Sequence, residues 1–391
     1  MGPHETETIE HVSSRRIHHT SYTTMEKVYT PQKQLAAQIV NALTVQRHNI
    51  VTCVAPMQWG KTGTICKTIE LMTNPALGDI DPTNVYVLTG ISDNEWIRQT
   101  KKRLPKEYHS NVYHLSNMKN ISCASMDNNL FIIDECHVAS RKSQTISKIL
   151  DTVFHMDIHH LRNNKIVLIS ATPTNIIMDL RENCIRNCIV HAPKVDSYTG
   201  VDTLLQQQRI IPIQYDYRSQ RQMDIFFDTM KKYTTPKYHI FRFRELKHQP
   251  GIMEQKIQSY CHKYRFDHLC NTSEYCAGNM DSIMKTAPQR HTVILIKGRW
   301  RAAKTLNQDH IGVLVESGKD YNAVVQGLPG RMCGHNTSSD SVVFTNIKAV
   351  EEYMKLMDTK CDYSHGIEEW KTGNLRKTKR GGIHWNKSYL D

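Results

Sequence analysis

The residues best suited to chemistry are Gly60, Lys61 and Thr62, which end the string A-P-M-Q-W-G-K-T and follow the apolar run at residues 50–54. An apolar strand that enters a G-K-T turn and then a helix is typical of a phosphate-binding loop, because unpaired backbone N–H groups converge there at the positive end of a helix dipole. We expect the backbone from Gly60 to Gly63 and the ammonium of Lys61 to bind the phosphates of ATP, and the Thr62 hydroxyl to ligate Mg²⁺. An alanine stands where the usual pattern has its first glycine, so a chance G-K-T in a surface turn is the alternative.

Two carboxylates follow the apolar run at residues 130–133, where the chain reads L-F-I-I-D-E-C-H. An unbroken apolar run is typical of a parallel strand that is buried on both faces, and ligands bind beyond the carboxyl ends of such strands. We predict that Asp134 holds Mg²⁺, directly or through water, and that Glu135 orients and deprotonates the attacking water. A strand that merely ends in an acidic turn is the alternative, but it does not explain why this strand follows a phosphate-binding loop.

A third apolar run ends in hydroxyl residues, where residues 165–173 read K-I-V-L-I-S-A-T-P. In this order, the phosphate-binding loop, the D-E-C-H strand and the S-A-T strand resemble motifs I, II and III of superfamily 2 helicases of the DExH group. The resemblance implies that His137, Ser170 and Thr172 couple the ATP site to a nucleic-acid site. The strings M-Q-W-G-K-T and G-R-M-C-G also resemble those of compact helicases of large DNA viruses and phages, which favours DNA over RNA as the partner.

The length of the chain and its alternating pattern predict two α/β domains. At 391 residues the chain exceeds one typical core. Strand-like segments separated by helical stretches recur in the second half, which indicates another parallel sheet. The resemblance implies two tandem RecA-like domains with parallel sheets and ATP in the cleft between them. We place a flexible N-terminal arm at 1–26, the first domain at 27–197, the second at 198–358 and a basic C-terminal tail at 359–391.

The second domain should complete the ATP site. Residues 324–334 read V-V-Q-G-L-P-G-R-M-C-G and resemble motif VI. The resemblance makes Gln326 a catalytic-site residue and Arg331 the arginine that neutralises charge on the γ-phosphoryl group. The match is incomplete, because Gly327 and Gly334 stand where arginines are usual.

A glutamine ahead of the first helix reads the adenine edge in superfamily 2 proteins. Gln32 and Gln34 both lie in the Y-T-P-Q-K-Q segment that opens the first domain. We assign the adenine contact to Gln34, and an exposed amide near a helix start is the alternative.

The basic balance of the chain, with a net charge of +12, favours a polyanionic partner and salt-sensitive association with nucleic acid. A strand end corresponding to motif Ia, the next helix and a basic loop that reads K-G-R-W-R-A-A-K-T suit contacts with a phosphate backbone. Plain turns and solvated basic loops are the alternatives. The residues assigned to nucleic acid are Thr89, Gly90, Arg98, Lys101, Arg299, Arg301 and Lys304.

The eleven cysteines show no regular framework, which indicates reduced thiols in a cytosolic-type compartment. No apolar stretch is long enough to span a bilayer and no secretory segment lies near Met1, so we expect a cytoplasmic monomer, of the host cell or virion-associated for a viral protein. Two groups of cysteine and histidine could hold structural zinc, but neither has paired C-x2-C spacing, and ordinary thiols and surface histidines are the alternative. The two groups are Cys184, Cys188 and His191, and Cys261, His262, His268, Cys270 and Cys276.

Three functions are compatible with these motifs. The first is an ATP-dependent nucleic-acid helicase or translocase, in which hydrolysis between the domains drives movement on, or unwinding of, a strand. The second is an ATP-dependent remodelling switch that binds nucleic acid without separating strands, which the incomplete motif VI favours. The third is a P-loop kinase or assembly factor without a nucleic-acid role, which leaves the D-E-C-H and S-A-T strands unexplained.

Overall fold

The computed structural model describes residues 28–92, 94–121, 127–138, 161, 163–182, 184–243, 251–271, 280–296, 306, 308–335 and 339–361. Within these residues the chain forms two six-stranded sheets, and every neighbouring pair of strands in both sheets is parallel. The predicted N-terminal arm and all but the first three residues of the predicted tail lie outside the described part of the chain.

The first sheet has the strand order β3-β2-β4-β5-β1-β6. Every residue of β1, β2 and β4 is buried, as expected for parallel strands covered on both faces. Its strands are β1 (Ile50–Val54), β2 (Val85–Thr89), β3 (Val112–His114), β4 (Leu130–Asp134), β5 (Lys165–Ser170) and β6 (Cys188–His191), and its helices are α1 (Thr30–Thr44), α2 (Lys61–Met72), α3 (Asn94–Arg103) and α4 (Thr174–Glu182). Short 3₁₀ helices span Pro82–Asn84, Lys106–Asn111 and Met118–Asn120.

The second sheet has the strand order β10-β11-β9-β12-β14-β8 and follows a short strand, β7 (Tyr198–Thr199). The remaining strands are β8 (Ile210–Pro212), β9 (Tyr238–Arg242), β10 (Asp267–Asn271), β11 (Thr292–Ile296), β12 (Ile311–Glu316), β13 (Gly334–His335) and β14 (Val342–Thr345). The helices are α5 (Val201–Gln206), α6 (Gln220–Met230), α7 (Ile252–Tyr264), α8 (Met280–Ile283), α9 (Tyr321–Val325), α10 (Leu328–Met332) and α11 (Ile347–Asp358). None of the helices in the described ranges is long and apolar enough to cross a membrane.

Strand pairing brings the three sequence motifs to one edge of the first sheet. In the register of the sheet, Val54 at the end of β1 lies opposite Ser170 at the end of β5. Asp134 at the end of β4 lies opposite Thr89 at the end of β2. Because parallel strands point the same way, the residues that follow β1, β2, β4 and β5 lie side by side beyond one edge.

The two domains contact each other through the phosphate-binding loop. Met57 of this loop packs in the main hydrophobic core of the second domain. The short strand β7, which lies between the two sheets in the chain, pairs antiparallel with β13 after the second-domain helix α10. The loop that begins the first-domain site is therefore also part of the domain interface.

A buried histidine in the second sheet makes stability dependent on pH. His239 is fully buried on β9, its Nδ1 accepts the N–H of Val313 at 2.9 Å, and its Nε2 lies 3.1 Å from Nδ1 of His291. Burial, followed by the positive charges of His291 and Lys237, holds the pKa of His239 well below its ordinary value. The folded protein therefore keeps this imidazole neutral at pH values where the unfolded chain protonates it.

We expect this histidine to reduce stability as the pH falls below about 6.5, the ordinary histidine pKa. Between pH 7.5 and 5.5, the free energy of unfolding should fall by about 1 kcal/mol more in the wild-type protein than in a His239→Gln variant, which retains an acceptor and a donor but does not titrate. Urea unfolding of both proteins at the two pH values measures the difference. Equal pH dependence of the two proteins would contradict the assignment.

Candidate active site

The phosphate-binding loop connects β1 to α2 and turns at Gly60. Gly60 precedes α2 with a φ of 109°, a left-handed conformation that favours glycine. Trp59 is buried in the core of the first domain and anchors the loop to that core. Lys61 and Thr62 are the first residues of α2, so their backbone N–H groups and side chains lie at the positive end of the helix.

Gln32, rather than Gln34, lies against this loop. The side-chain Nε2 of Gln32 donates to the carbonyl of Gly60 at 3.1 Å, and its Oε1 accepts the N–H of Tyr29 at 3.0 Å. A Cβ atom on Gly60 or on Gly63 would overlap the Gln32 amide, so both glycines are required for this contact. Gln34 is exposed on α1, since residues two apart do not share a helix face. The structure therefore places Gln32, and not Gln34, beside the phosphate-binding loop.

The two acidic residues and the loop lysine form a compact buried cluster. Lys61 Nζ lies 3.1 Å from Glu135 Oε1, and both side chains are largely buried. Asp134 accepts two hydrogen bonds, from the backbone N–H of Glu135 to Oδ1 at 3.0 Å and from the indole N–H of Trp96 to Oδ2 at 2.9 Å. Glu135 has a φ of 49°, so the chain turns sharply directly after β4.

The electrostatics of this cluster leave an excess of negative charge. Burial alone would lower the pKa of Lys61, but the carboxylates of Glu135 and Asp134 outweigh burial and hold that pKa above its ordinary value. Burial and then the charge of Glu135 raise the pKa of Asp134 to about 6, against the opposing effect of Lys61. The cluster therefore favours a further cation.

A hard cation such as Mg²⁺ fits the donors present. The Asp134 carboxylate and the Thr62 hydroxyl line one cavity, and both are oxygen ligands of the kind that Mg²⁺ prefers. Glu135 Oε2 is buried and accepts no hydrogen bond from any residue that the structure describes. Such a buried oxygen requires a donor, which a bound water would supply.

A chain of hydrogen bonds links the residues that follow β4 and β5 to the second domain. Ser170 Oγ lies 3.0 Å from His137 Nδ1 and accepts the backbone N–H of Thr172 at 3.0 Å. Gln326 Nε2 donates to Thr172 Oγ1 at 2.6 Å and lies 3.4 Å from His137 Nδ1. Burial, followed by the charge of Lys61, lowers the pKa of His137 to about 4, so its imidazole is neutral and one of its two ring nitrogens acts as an acceptor. The structure thus brings together His137, Ser170, Thr172 and Gln326.

Arg331 reaches the same cavity from the second domain. It lies on α10 with only 2% of its surface exposed. The cavity has a volume of 190 Å³ and lies between the phosphate-binding loop, the acidic pair and Arg331. Its other lining residues are Met57, Gln58, Gly60, Lys61, Thr62, Trp96, Gln99, Thr100, Arg103, Gln326 and Gly330.

The neighbours of position 327 explain why a glycine stands there. Glu316, at the end of β12, is buried, and its Oε2 accepts both Arg242 Nη1 at 2.8 Å and the backbone N–H of Leu328 at 3.4 Å. A Cβ atom on Gly327 would collide with this carboxylate and with the Arg242 guanidinium. The ion pair that holds the start of α10 therefore excludes an arginine, which the motif VI pattern usually has here.

Two residues beyond the sequence motifs hold the phosphate-binding loop. The hydroxyl of Tyr198 donates to the carbonyl of Met57 at 2.6 Å, and Nε2 of His335 donates to the carbonyl of Trp59 at 3.0 Å. The Tyr198 and His335 rings pack edge to face with centroids 5.5 Å apart. Sequence reasoning missed both residues, because neither belongs to a motif and their contacts depend on the pairing of β7 with β13.

The predicted nucleic-acid residues are only partly described. Thr89 is buried at the end of β2, and its hydroxyl accepts the backbone N–H of Ile91 at 3.3 Å. Gly90 is buried, Arg98 is exposed and Lys101 is half-buried on α3. The remaining residues assigned to nucleic acid, Arg299, Arg301 and Lys304, lie outside the described residues.

As zinc sites, the two groups of cysteine and histidine receive no support from the part of the chain that the structure describes. Within it, no cluster of three or more histidine, cysteine or acidic side chains could hold a metal ion, and no cysteine forms a disulfide. Cys270 instead donates to Glu254 Oε1 at 3.1 Å. Cys276 lies outside the described residues.

Comparison of the sequence gives one viral relative. No protein-family model matches the chain. The chain is 27% identical over 351 residues to uncharacterized protein L594 of Acanthamoeba polyphaga mimivirus, and the alignment covers 80% of this chain and 85% of that protein. This relative is consistent with the expected likeness to virus-encoded proteins.

Comparison of the structure identifies the fold. The chain is similar to the DEAD-box helicase Mss116 bound to single-stranded RNA and UDP-BeF, with a TM-score of 0.53 and 12% sequence identity. The match covers 86% of this chain and 74% of that chain. At this identity the likeness concerns the fold alone, and the two parallel six-stranded sheets match tandem RecA-like domains of the helicase type. The fold class predicted from the sequence is confirmed.

Proposed function

We propose that the protein is an ATP-dependent nucleic-acid helicase or translocase with a superfamily 2 site of the D-E-C-H type. The observation that carries the proposal is the cavity between the domains, where Lys61 and Asp134 of the first domain face Arg331 of the second. A phosphate-binding loop, an acidic pair and an arginine from another domain are the parts that phosphoryl transfer to water requires. A P-loop kinase or assembly factor would leave the second sheet and Arg331 without a role.

The buried cluster supports a division of labour during hydrolysis. Lys61 and the backbone N–H groups after Gly60 bind the outer phosphates, which draws Lys61 away from Glu135. Glu135 then orients the attacking water and accepts its proton. Arg331 neutralises the charge that develops on the γ-phosphoryl group. Mg²⁺, held by Thr62 and Asp134, supplies further charge neutralisation when bound.

Coupling to nucleic acid is proposed to run through the chain of hydrogen bonds between the domains. Gln326, Thr172, Ser170 and His137 connect the second domain to Glu135, with His137 Nδ1 3.5 Å from Glu135 Oε2. Closing or opening the cleft therefore changes the surroundings of the catalytic carboxylate. The ends of β2 and α3, with Thr89, Gly90, Arg98 and Lys101, would hold the phosphate backbone, together with Arg299, Arg301 and Lys304.

The position of Gln32 supports recognition of adenine beside the phosphate-binding loop. We expect Gln32→Ala to weaken ATP binding at least about tenfold, because it removes a side chain that lies against both loop glycines. Gln34→Ala, on the same helix but exposed, should bind ATP like the wild type. Equilibrium titration with a fluorescent ATP analogue measures both affinities. Loss of affinity in Gln34→Ala but not in Gln32→Ala would instead assign the adenine contact to Gln34.

The proposed function is tested by ATP hydrolysis with the purified chain alone and with single-stranded DNA, duplex DNA or RNA. We expect one class of nucleic acid to stimulate hydrolysis at least about tenfold, and Glu135→Gln to reduce the stimulated rate by about 100-fold or more, because the variant removes the proposed base. DNA is the expected activator, given the likeness to virus-encoded helicases. A rate of ATP hydrolysis that no nucleic acid changes would favour the P-loop kinase or assembly factor.

Strand separation distinguishes a helicase from a remodelling switch. The glycines at positions 327 and 334 favour the switch. A translocating helicase should separate a duplex that carries a single-stranded overhang and leave a blunt duplex intact. Stimulated hydrolysis without strand separation on either substrate would support the switch.

A further inference from the structure

One face of α3 forms a wall of the cavity between the domains. Trp96, Gln99, Thr100 and Arg103 all line this cavity, and their spacing places the other three within roughly 60° of Trp96 around the helix axis. From the sequence we predicted only nucleic-acid contacts for this helix. Its inner face is instead turned to the residues proposed to bind the nucleotide.

Trp96 makes the closest polar contact from this wall. Its indole N–H donates to Asp134 Oδ2 at 2.9 Å, and only 6% of the surface of each residue is exposed. The Trp96 ring packs in the same core as Trp59 of the phosphate-binding loop, so the indole has a fixed position. With the backbone N–H of Glu135 on Oδ1, both carboxylate oxygens of Asp134 have a donor. The orientation of the Asp134 carboxylate is therefore determined by one donor directly after β4 and one donor on α3.

The outer face of the same helix carries positive charge. Arg98 and Lys101 lie roughly 140–160° around the helix from Trp96. The helix follows β2, whose last residue, Thr89, lies opposite Asp134 in the sheet. At its other end, Cys66 of α2 donates to the carbonyl of Arg103 at 3.7 Å, which ties α3 to the helix of the phosphate-binding loop. A shift of α3 thus moves Trp96 relative to Asp134.

We propose that Trp96 is a positioning residue for Asp134, and that α3 couples nucleic-acid binding on its outer face to the metal–nucleotide site on its inner face. The inference rests on the proposed function and adds the element that regulates that same site. Nucleic acid bound to the outer face stabilises one position of α3, and the indole then holds the Asp134 carboxylate in the orientation that accepts the cation. By linkage, the metal-bound nucleotide strengthens nucleic-acid binding by the same factor.

The test compares Trp96→Phe with Tyr108→Phe in the full chain. Trp96→Phe keeps an aromatic ring in the core and removes the indole donor. Tyr108→Phe is the matched control, because Tyr108 is buried in the same core and loses its hydroxyl contact with Thr73 at 3.2 Å. The measurements are binding of a fluorescent non-hydrolysable ATP analogue as a function of Mg²⁺ concentration, with and without the nucleic acid that stimulates hydrolysis.

Trp96→Phe should raise the Mg²⁺ concentration for half-maximal nucleotide binding at least fivefold and reduce the effect of nucleic acid on nucleotide affinity toward a factor of one. Tyr108→Phe should stay within twofold of the wild type in both quantities. A folded Trp96→Phe variant with wild-type values overturns the inference while leaving the proposed function intact. A wild-type chain that binds no Mg²⁺–nucleotide overturns the proposed function and this inference with it.

A second measurement on the unsubstituted chain keeps the inference testable even where Trp96→Phe does not fold. In protein labelled with ¹⁵N at the tryptophan indoles, at least one solvent-protected indole resonance should shift both on adding nucleic acid alone and on adding the Mg²⁺–nucleotide alone. Absence of any protected resonance that responds to both ligands overturns the coupling through Trp96.

Discussion

Three charged side chains, Lys61, Asp134 and Glu135, share one largely buried site at the edge of the first sheet, and the surrounding structure depends on keeping them paired. Lys61 and Glu135 lie 3.1 Å apart, and the negative charge of two carboxylates exceeds the single positive charge of the lysine. Leaving one member of a buried pair without its partner costs about 3–5 kcal/mol. Under the proposed function, phosphates that attract Lys61 would leave Glu135 and Asp134 without their positive partner, so a cation would have to bind with the nucleotide.

The second domain stabilises the same site through the backbone of the phosphate-binding loop. Tyr198 and His335 bind the carbonyls of Met57 and Trp59, and Met57 packs in the second-domain core. Gly330 lies so close to Met57 that a Cβ atom there would overlap it. Residues of both domains therefore contact the loop. Any relative motion of the domains acts directly on the residues proposed to bind the phosphates.

Much of this arrangement is predictable from the sequence because it depends on local patterns. Unbroken apolar runs predicted β1, β4 and β5, and the G-K-T turn predicted where α2 begins. The alternation of strand-like and helical segments expected in the second half is present as β9, α7, β11, β12 and β14. Such elements are determined by burial on two faces or by a helical apolar stripe.

Features that depend on tertiary contacts were not predictable. The sequence does not distinguish Gln32 from Gln34 as the residue beside the loop. Only the way α1 packs shows that Gln32 lies against Gly60. Trp96 looks like an ordinary core aromatic until strand order places α3 beside Asp134. The departure at Gly327 from motif VI is explained only when Glu316 and Arg242 are seen to occupy the space of a side chain.

Arg331→Gln tests most directly whether the two domains together form one hydrolytic site. This substitution removes the positive charge that the second domain contributes while retaining the Cβ–Cγ–Cδ stem and an N–H donor. In single-turnover hydrolysis with saturating activating nucleic acid, we predict a rate constant about 100-fold or more below the wild type, with ATP affinity changed by no more than about threefold. A rate constant equal to that of the wild type would contradict the composite site.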